Sequence, residues 1–141
     1  MASELPARER NVLVVINEPV NGRDLRAAIG DDSVEARVHL VAPAFEPRIG
    51  RGRAAAAAQR RLRRCLAELG RVGVGATGAV GDPEALKAIE DSLREFPADE
   101  IVIASNPGRL GRRLGENFPE RAVDRFRLPV AHLALGGPAA A

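Results

Sequence analysis

Residues 99–130 read DEIVIASNPGRLGRRLGENFPERAVDRFRLPV and hold a strand, a loop, a helix and the start of a second strand, in that order. The run Ile101-Val102-Ile103-Ala104 is too short for an ordinary helix and rich in β-branched residues, the pattern of a strand buried on both faces. Ser105-Asn106-Pro107-Gly108 cannot continue it and turns the chain. An arginine-rich loop with glycines at 108, 111 and 115 follows, then a helical stretch over about 119–126 and a second apolar run, Leu128 to Leu135. Strand, glycine loop, helix, strand is a βαβ unit, and open α/β sheets bind ligands at the carboxyl ends of their strands. The loop from Ser105 to Asn117 is therefore expected to form one wall of any small-molecule site.

Upstream, the same alternation repeats. Val12 to Ile16 is nearly continuous in β-branched residues and reads as a central strand. Asn17 to Gly22 turns into a short helix, Asp24 to Ile29, stopped by Gly30. Ala36 to Val41 forms a second strand ended by Pro43, and the loop Phe45 to Gly52 is placed to cover a site. Arg53 to Leu69 is the clearest helix: Ala58, Leu62, Cys65, Leu66 and Leu69 share one face, Arg60, Arg61, Arg63 and Arg64 lie outside it, and Gly70 is expected to cap its end. Val72, Val74, Ala76 and Val80 suggest a thin third strand at a sheet edge. Asp82-Pro83 reads as an N-cap with proline at the first helical position. Leu86, Ile89, Leu93 and Phe96 mark the buried face of the helix that follows. Five strands alternating with helices imply an α/β fold with an open parallel sheet and helices on both faces.

At 141 residues one domain is expected, over 11–136, with a flexible N-terminus at 1–10 and a tail of small residues at 137–141. No apolar run reaches the ~18 residues of a membrane span, and the N-terminus lacks a signal-peptide core. The single Cys65 rules out an intramolecular disulfide and any multi-cysteine metal site, and the expected location is the cytoplasm. Net charge is +2, yet of 21 basic residues only Lys87 is lysine, a bias that a G+C-rich bacterial genome explains. Eight arginines and one acid, Glu68, lie between Arg48 and Arg71, whereas Asp82 to Glu100 holds seven acids. These segments read as solvated helix faces, complementary across a contact, with a phosphate-binding patch as the minority reading.

Few motifs carry chemistry. Gly73-Val74-Gly75-Ala76-Thr77-Gly78 spells G-x-G-x-x-G, but a helix precedes it and the next opens only near Asp82, so it lacks the strand-to-helix context of a dinucleotide fingerprint. No Gly-Lys-Ser/Thr exists, which excludes a P-loop. His39 and His132 fall inside strands, Cys65 on an apolar helix face, and no serine sits in a G-x-S-x-G elbow. The sequence shows no catalytic constellation. What remains is Gly108-Arg109-Leu110-Gly111 with Ser105 and Asn117, where small residues let backbone amides approach a phosphate; the alternative is a simple turn.

Taken together, the Val12–Ile16 strand, Val41-Ala42-Pro43, the long second helix, Val80-Gly81-Asp82-Pro83, residues 98–105 and Leu128-Pro129-Val130 resemble the universal stress protein family over nearly the full length. The resemblance implies a five-stranded parallel sheet of order 3-2-1-4-5, Rossmann-like and of the adenine-nucleotide-hydrolase-like kind. It also implies a homodimer paired along the last strand. Nucleotide-binding members carry Asp after strand one and a G-x2-G-x9-G-(S/T) loop after strand four. Here Asn17 replaces the Asp, Gly108 and Gly111 match the first half of the loop, and the Gly-Ser position falls on Glu116-Asn117 in a loop about two residues short. Gly115 is the nearest substitute glycine, and Arg109, Arg112 and Arg113 oppose the charge of Glu116.

The resulting expectation is a regulatory or ligand-binding module without conventional catalysis. Its pocket would be lined by Asn17, Val41, Ser105, Asn106, Gly108, Arg109, Gly111 and Asn117, with ATP or AMP, and Mg²⁺, as the cofactors to test and with no metal site of its own. A second reading is an ATP- or AMP-binding protein that hydrolyses ATP weakly, for which Glu18 and Glu116 alone could hold a divalent ion. A third is phosphate or nucleic-acid binding through the Arg53–Arg64 helix. Four phenylalanines with no Trp or Tyr leave little to stack bases on and weigh against it.

Overall fold

The computed structural model describes residues 10–18, 20–30, 35–44, 50–105 and 117–134. Their elements alternate as expected: β1 (Asn11–Ile16), α1 (Gly22–Ile29), β2 (Arg37–Pro43), α2 (Gly50–Arg71), β3 (Ala76–Gly81), α3 (Ala85–Glu95), β4 (Glu100–Ser105), α4 (Phe118–Phe126) and β5 (Val130–Ala134). One sheet has the order β3-β2-β1-β4-β5, and every neighbouring pair is parallel. β1 pairs Val14 with Leu40 on one side and with Val102 on the other.

The continuous apolar runs are explained by the layers. Val12, Val14, Ile16, Leu40 and Ala42 pack under α1 and α2 with Leu25, Ile29, Ala58, Leu62, Cys65 and Leu69. Leu13, Val15, Val41, Ile101 and Ile103 pack on the other face with Leu86 and Ile89 of α3 and Phe118 and Ala122 of α4. Every residue of β1 is buried because both of its faces meet a helix layer. Close backbone approach joins α1 to α2: a Cβ on Gly22 would stand 2.2 Å from the Glu68 carbonyl oxygen, while the Gly22 amide donates to the Glu68 carboxylate at 3.1 Å. At the opposite end of the sheet, Arg10 pairs with Glu100 at 2.6 Å and donates to the Ile29 carbonyl.

Three local expectations are corrected. Gly70 does not cap α2; the helix runs through it to Arg71, and Gly73, with φ of 84°, makes the left-handed turn. The third strand starts only at Ala76, so Val72 and Val74 belong to that turn, where the Val74 amide bonds the Leu69 carbonyl at 2.9 Å. Asp82 accepts the Glu84 amide at 2.9 Å, but helical geometry begins at Ala85, so Pro83 precedes α3. The basic and acidic helices, α2 and α3, lie on opposite faces of the sheet and do not complement each other across a contact.

Candidate functional site

Order 3-2-1-4-5 makes the chain reverse its direction of winding between β1 and β4, so the crevice of this fold lies over the carboxyl ends of those two strands. Asn17 and Ser105 stand there, each fully buried. The Asn17 amide continues the ladder by donating to the Ala104 carbonyl at 3.0 Å. Its side-chain Nδ2 donates to the Ser105 hydroxyl oxygen at 2.8 Å, which laces the two strands at the floor of the crevice. The other half of the carboxamide, Oδ1, is buried with no hydrogen-bond partner among the described residues. An orphaned buried acceptor carries a desolvation cost of about 1–3 kcal/mol. A ligand that gains access to it and brings an N–H or O–H donor would recover that cost.

Two side chains beyond those expected meet this edge. Arg61 leaves α2 toward the strand ends, where Nη2 donates to the Pro43 carbonyl at 2.8 Å and Nε to the Ile16 carbonyl at 3.3 Å. It thus ties β1 to β2 and brings a permanent positive charge beside Asn17. His132 of β5 lies 3.1 Å from the Ser105 carbonyl through Nε2. A carbonyl only accepts, so Nε2 is the donor of this bond. Sequence spacing gives no sign of Arg61's role: it lies near the middle of α2, beside the apolar stripe, and reaches the strand ends through its long side chain. His132 had no signal either, because strand register decides which carbonyl it reaches.

The other expected residues divide. Val41 is 1% exposed in the core beneath α3, its Cγ2 only 2.7 Å from where a Cβ on Gly81 would stand. Asn117 precedes α4 in the left-handed region, φ 57°, exposed and with its side chain capping nothing. Asn106, Gly108, Arg109 and Gly111, with Arg112, Arg113, Gly115 and Glu116, lie outside the described residues. So does most of the Phe45–Gly52 loop.

Elsewhere His39 and Cys65 have structural roles. His39 bonds Thr77 through Nδ1 at 2.7 Å and stacks on Phe96 at 5.4 Å between centroids. Burial lowers its pKa, against a smaller opposing effect of Glu95. Cys65 is buried in the α2 layer, which pushes its thiol up and leaves it unreactive. Among the described residues no group of three His, Cys, Asp or Glu side chains could hold a metal. The Gly73–Gly78 motif opens a strand rather than a helix, so no helix N-terminus faces it.

No family model matches the chain, and neither does any curated protein sequence. Solved structures do. A universal stress protein from Archaeoglobus fulgidus superposes with a TM-score of 0.62 at 16% identity, over 88% of this chain and 93% of that one. A protein of the universal stress protein family from Burkholderia pseudomallei gives 0.59 at 21% identity, over 91% and 98%. The fold is that of the universal stress proteins.

Proposed function

We propose that this chain is a universal-stress-like regulatory module that binds a small ligand over the carboxyl ends of β1 and β4 and does not turn it over. The observation that carries the reading is the Asn17–Ser105 pair, fully buried at the winding reversal, with Asn17 Oδ1 left without a donor. A ligand donor, such as a sugar hydroxyl or an exocyclic amine, would satisfy it, while Asn17, unlike an aspartate, adds no negative charge against a phosphate. Arg61 supports an anionic ligand from the β2 side. The adenine nucleotides, ATP or AMP, are the ligands to test first, against a nucleotide loop that departs from the family pattern at Asn17 and Glu116; the working place we assign is a bacterial cytoplasm, and no helix among the described residues is long and apolar enough to cross a membrane. A homodimer along β5 fits the same reading: its outer edge is unpaired in the sheet, and Val123 of the adjacent α4 is 41% exposed.

The test is a thermal-shift titration with ATP and Mg²⁺, with AMP and pyrophosphate alongside. A ligand at ~100 times its Kd adds about 2.7 kcal/mol, several degrees in a domain of this size. A saturable shift that Gly108→Asp abolishes is the expected result. The absence of a shift with every nucleotide, or a shift indifferent to Gly108→Asp, overturns the assignment.

A further inference from the structure

The outer face of α2 carries a feature that neither the fold nor the site uses. On an ideal helix of 3.6 residues per turn, Arg53, Arg60, Arg64 and Arg71 fall within about 20° of one line, and at ~1.5 Å per residue they span ~27 Å. All four are exposed. Arg53, Arg60, Arg63 and Arg64 pair with no acid among the described residues, and Arg71 shares Glu68 at 3.3 Å. Arg60 and Arg64 are like charges one turn apart, an arrangement that disfavours a helix. The fold returns nothing for that cost. A biased genome sets arginine over lysine, but it does not line arginines up.

The opposite layer is different. On α3, Asp91 is paired with Lys87 at 3.5 Å, and Glu90 with Arg94 at 3.4 Å and with Arg125 of α4 at 2.5 Å. Charge is therefore distributed unevenly across the sheet: Glu90 and Asp91 of α3 are paired with basic neighbours, while on α2 only Arg71 of the four aligned arginines meets an acid. A second copy offers little on its α3 to answer the stripe: Glu90 and Asp91 are already engaged, which leaves the exposed Glu95 as the one unpaired α3 carboxylate among the described residues, against four aligned arginines. Besides the arginines, the exposed positions between Arg53 and Arg71 are Ala55, Ala56, Gln59, Ala67 and Gly70, with no large apolar group to enter a lipid surface and no aromatic to stack an unpaired base. A regular polyanion remains.

We infer that the outer face of α2 docks the phosphate backbone of double-stranded nucleic acid without reading its sequence. The four aligned arginines neutralise phosphates and release counterions, and the small residues between them let the helix approach closely. This surface is separate from the strand-end site and does not depend on what that site binds.

The test is fluorescence anisotropy of a labelled 16-base-pair duplex of mixed sequence with the full chain, from 50 to 200 mM NaCl. Four phosphate contacts predict a log–log salt slope near −3.6. Arg60→Gln with Arg64→Gln, both exposed and unpaired, should lower the slope by about 2 while leaving the melting midpoint within a degree or two. Arg121→Gln with Arg127→Gln, exposed in the opposite layer, should leave the slope unchanged. Equal losses from both double variants would mean net charge alone and would overturn the inference. So would undetectable duplex binding, or capture by phosphatidylserine vesicles in place of the duplex.

Discussion

Removing the Ser105 hydroxyl tests the floor of the site directly. In Ser105→Ala the Asn17 Nδ2 loses its acceptor at 2.8 Å, in a side chain that is fully buried and whose Oδ1 already lacks a donor. The carboxamide would then have neither end of its dipole answered in a region that water does not reach. A stranded buried donor costs about 1–3 kcal/mol. For a domain of this length that is roughly 3–4 °C per kcal/mol, or about 3–12 °C in the melting midpoint. Asn17→Leu supplies the second half of the cycle, since a residue of similar volume has no donor to strand. In that background Ser105→Ala should cost at least about 1 kcal/mol less than in the parent. Urea melts with a common m-value give both differences. A Ser105→Ala change within about 0.5 kcal/mol of the parent, or one of equal cost in both backgrounds, refutes the reasoning, because the two strand ends would then not be tied through this pair.

Two further outcomes follow from the backbone and from the half-buried His39 imidazole. Gly70 lies inside α2 with nothing within 4 Å of an added Cβ, so Gly70→Ala should stabilise by about 0.4–1 kcal/mol. Gly73→Ala, at φ of 84°, should destabilise by about 1–2 kcal/mol; the reverse ranking in chemical melts would put the helix end at Gly70 after all. Because burial holds the His39 pKa below its ordinary value of about 6.5, the unfolded chain takes up a proton first on acidification. Stability attributable to His39 is thus complete above about pH 6.5 and is lost as pH falls through the unfolded and then the folded pKa. Melting midpoints between pH 7.5 and 5 should fall less steeply in His39→Gln than in the parent, and parallel curves would rule this out.

Much of the fold was legible because parallel strands buried on both faces announce themselves. The runs at Val12–Ile16 and Ile101–Ala104 admitted one placement each, and both sit at the centre of the sheet. Legibility failed at β3, where alternating valines spanned a helix end and a turn. Val74 is buried there because the turn folds back under α2, not because it belongs to a strand. Gly70 misled for a related reason: glycine is the common helix stop, but only Gly73 has the backbone that needs it. At the site, parallel topology alone brings Asn17 and Ser105 together, so this pair could be anticipated from 88 positions apart. Arg61 lies outside the apolar stripe, which by periodicity alone puts it on the solvent face. Its long stem reaches around the helix to the strand ends, and helical periodicity does not register that reach.

The position of β1 between two partners of very different sequence distance sets an order of events for the growing chain. Val14 meets Leu40 only 26 residues on, but its second partner, Val102, lies 88 residues on. Closing the longer loop costs about 1 kcal/mol more in chain entropy, and that closure must wait until β4 exists. Through that interval β1, the most deeply buried strand of the finished sheet, keeps one ladder edge open. A chain interrupted before Glu100 would present this edge permanently and should associate with its own kind rather than remain a half-built monomer.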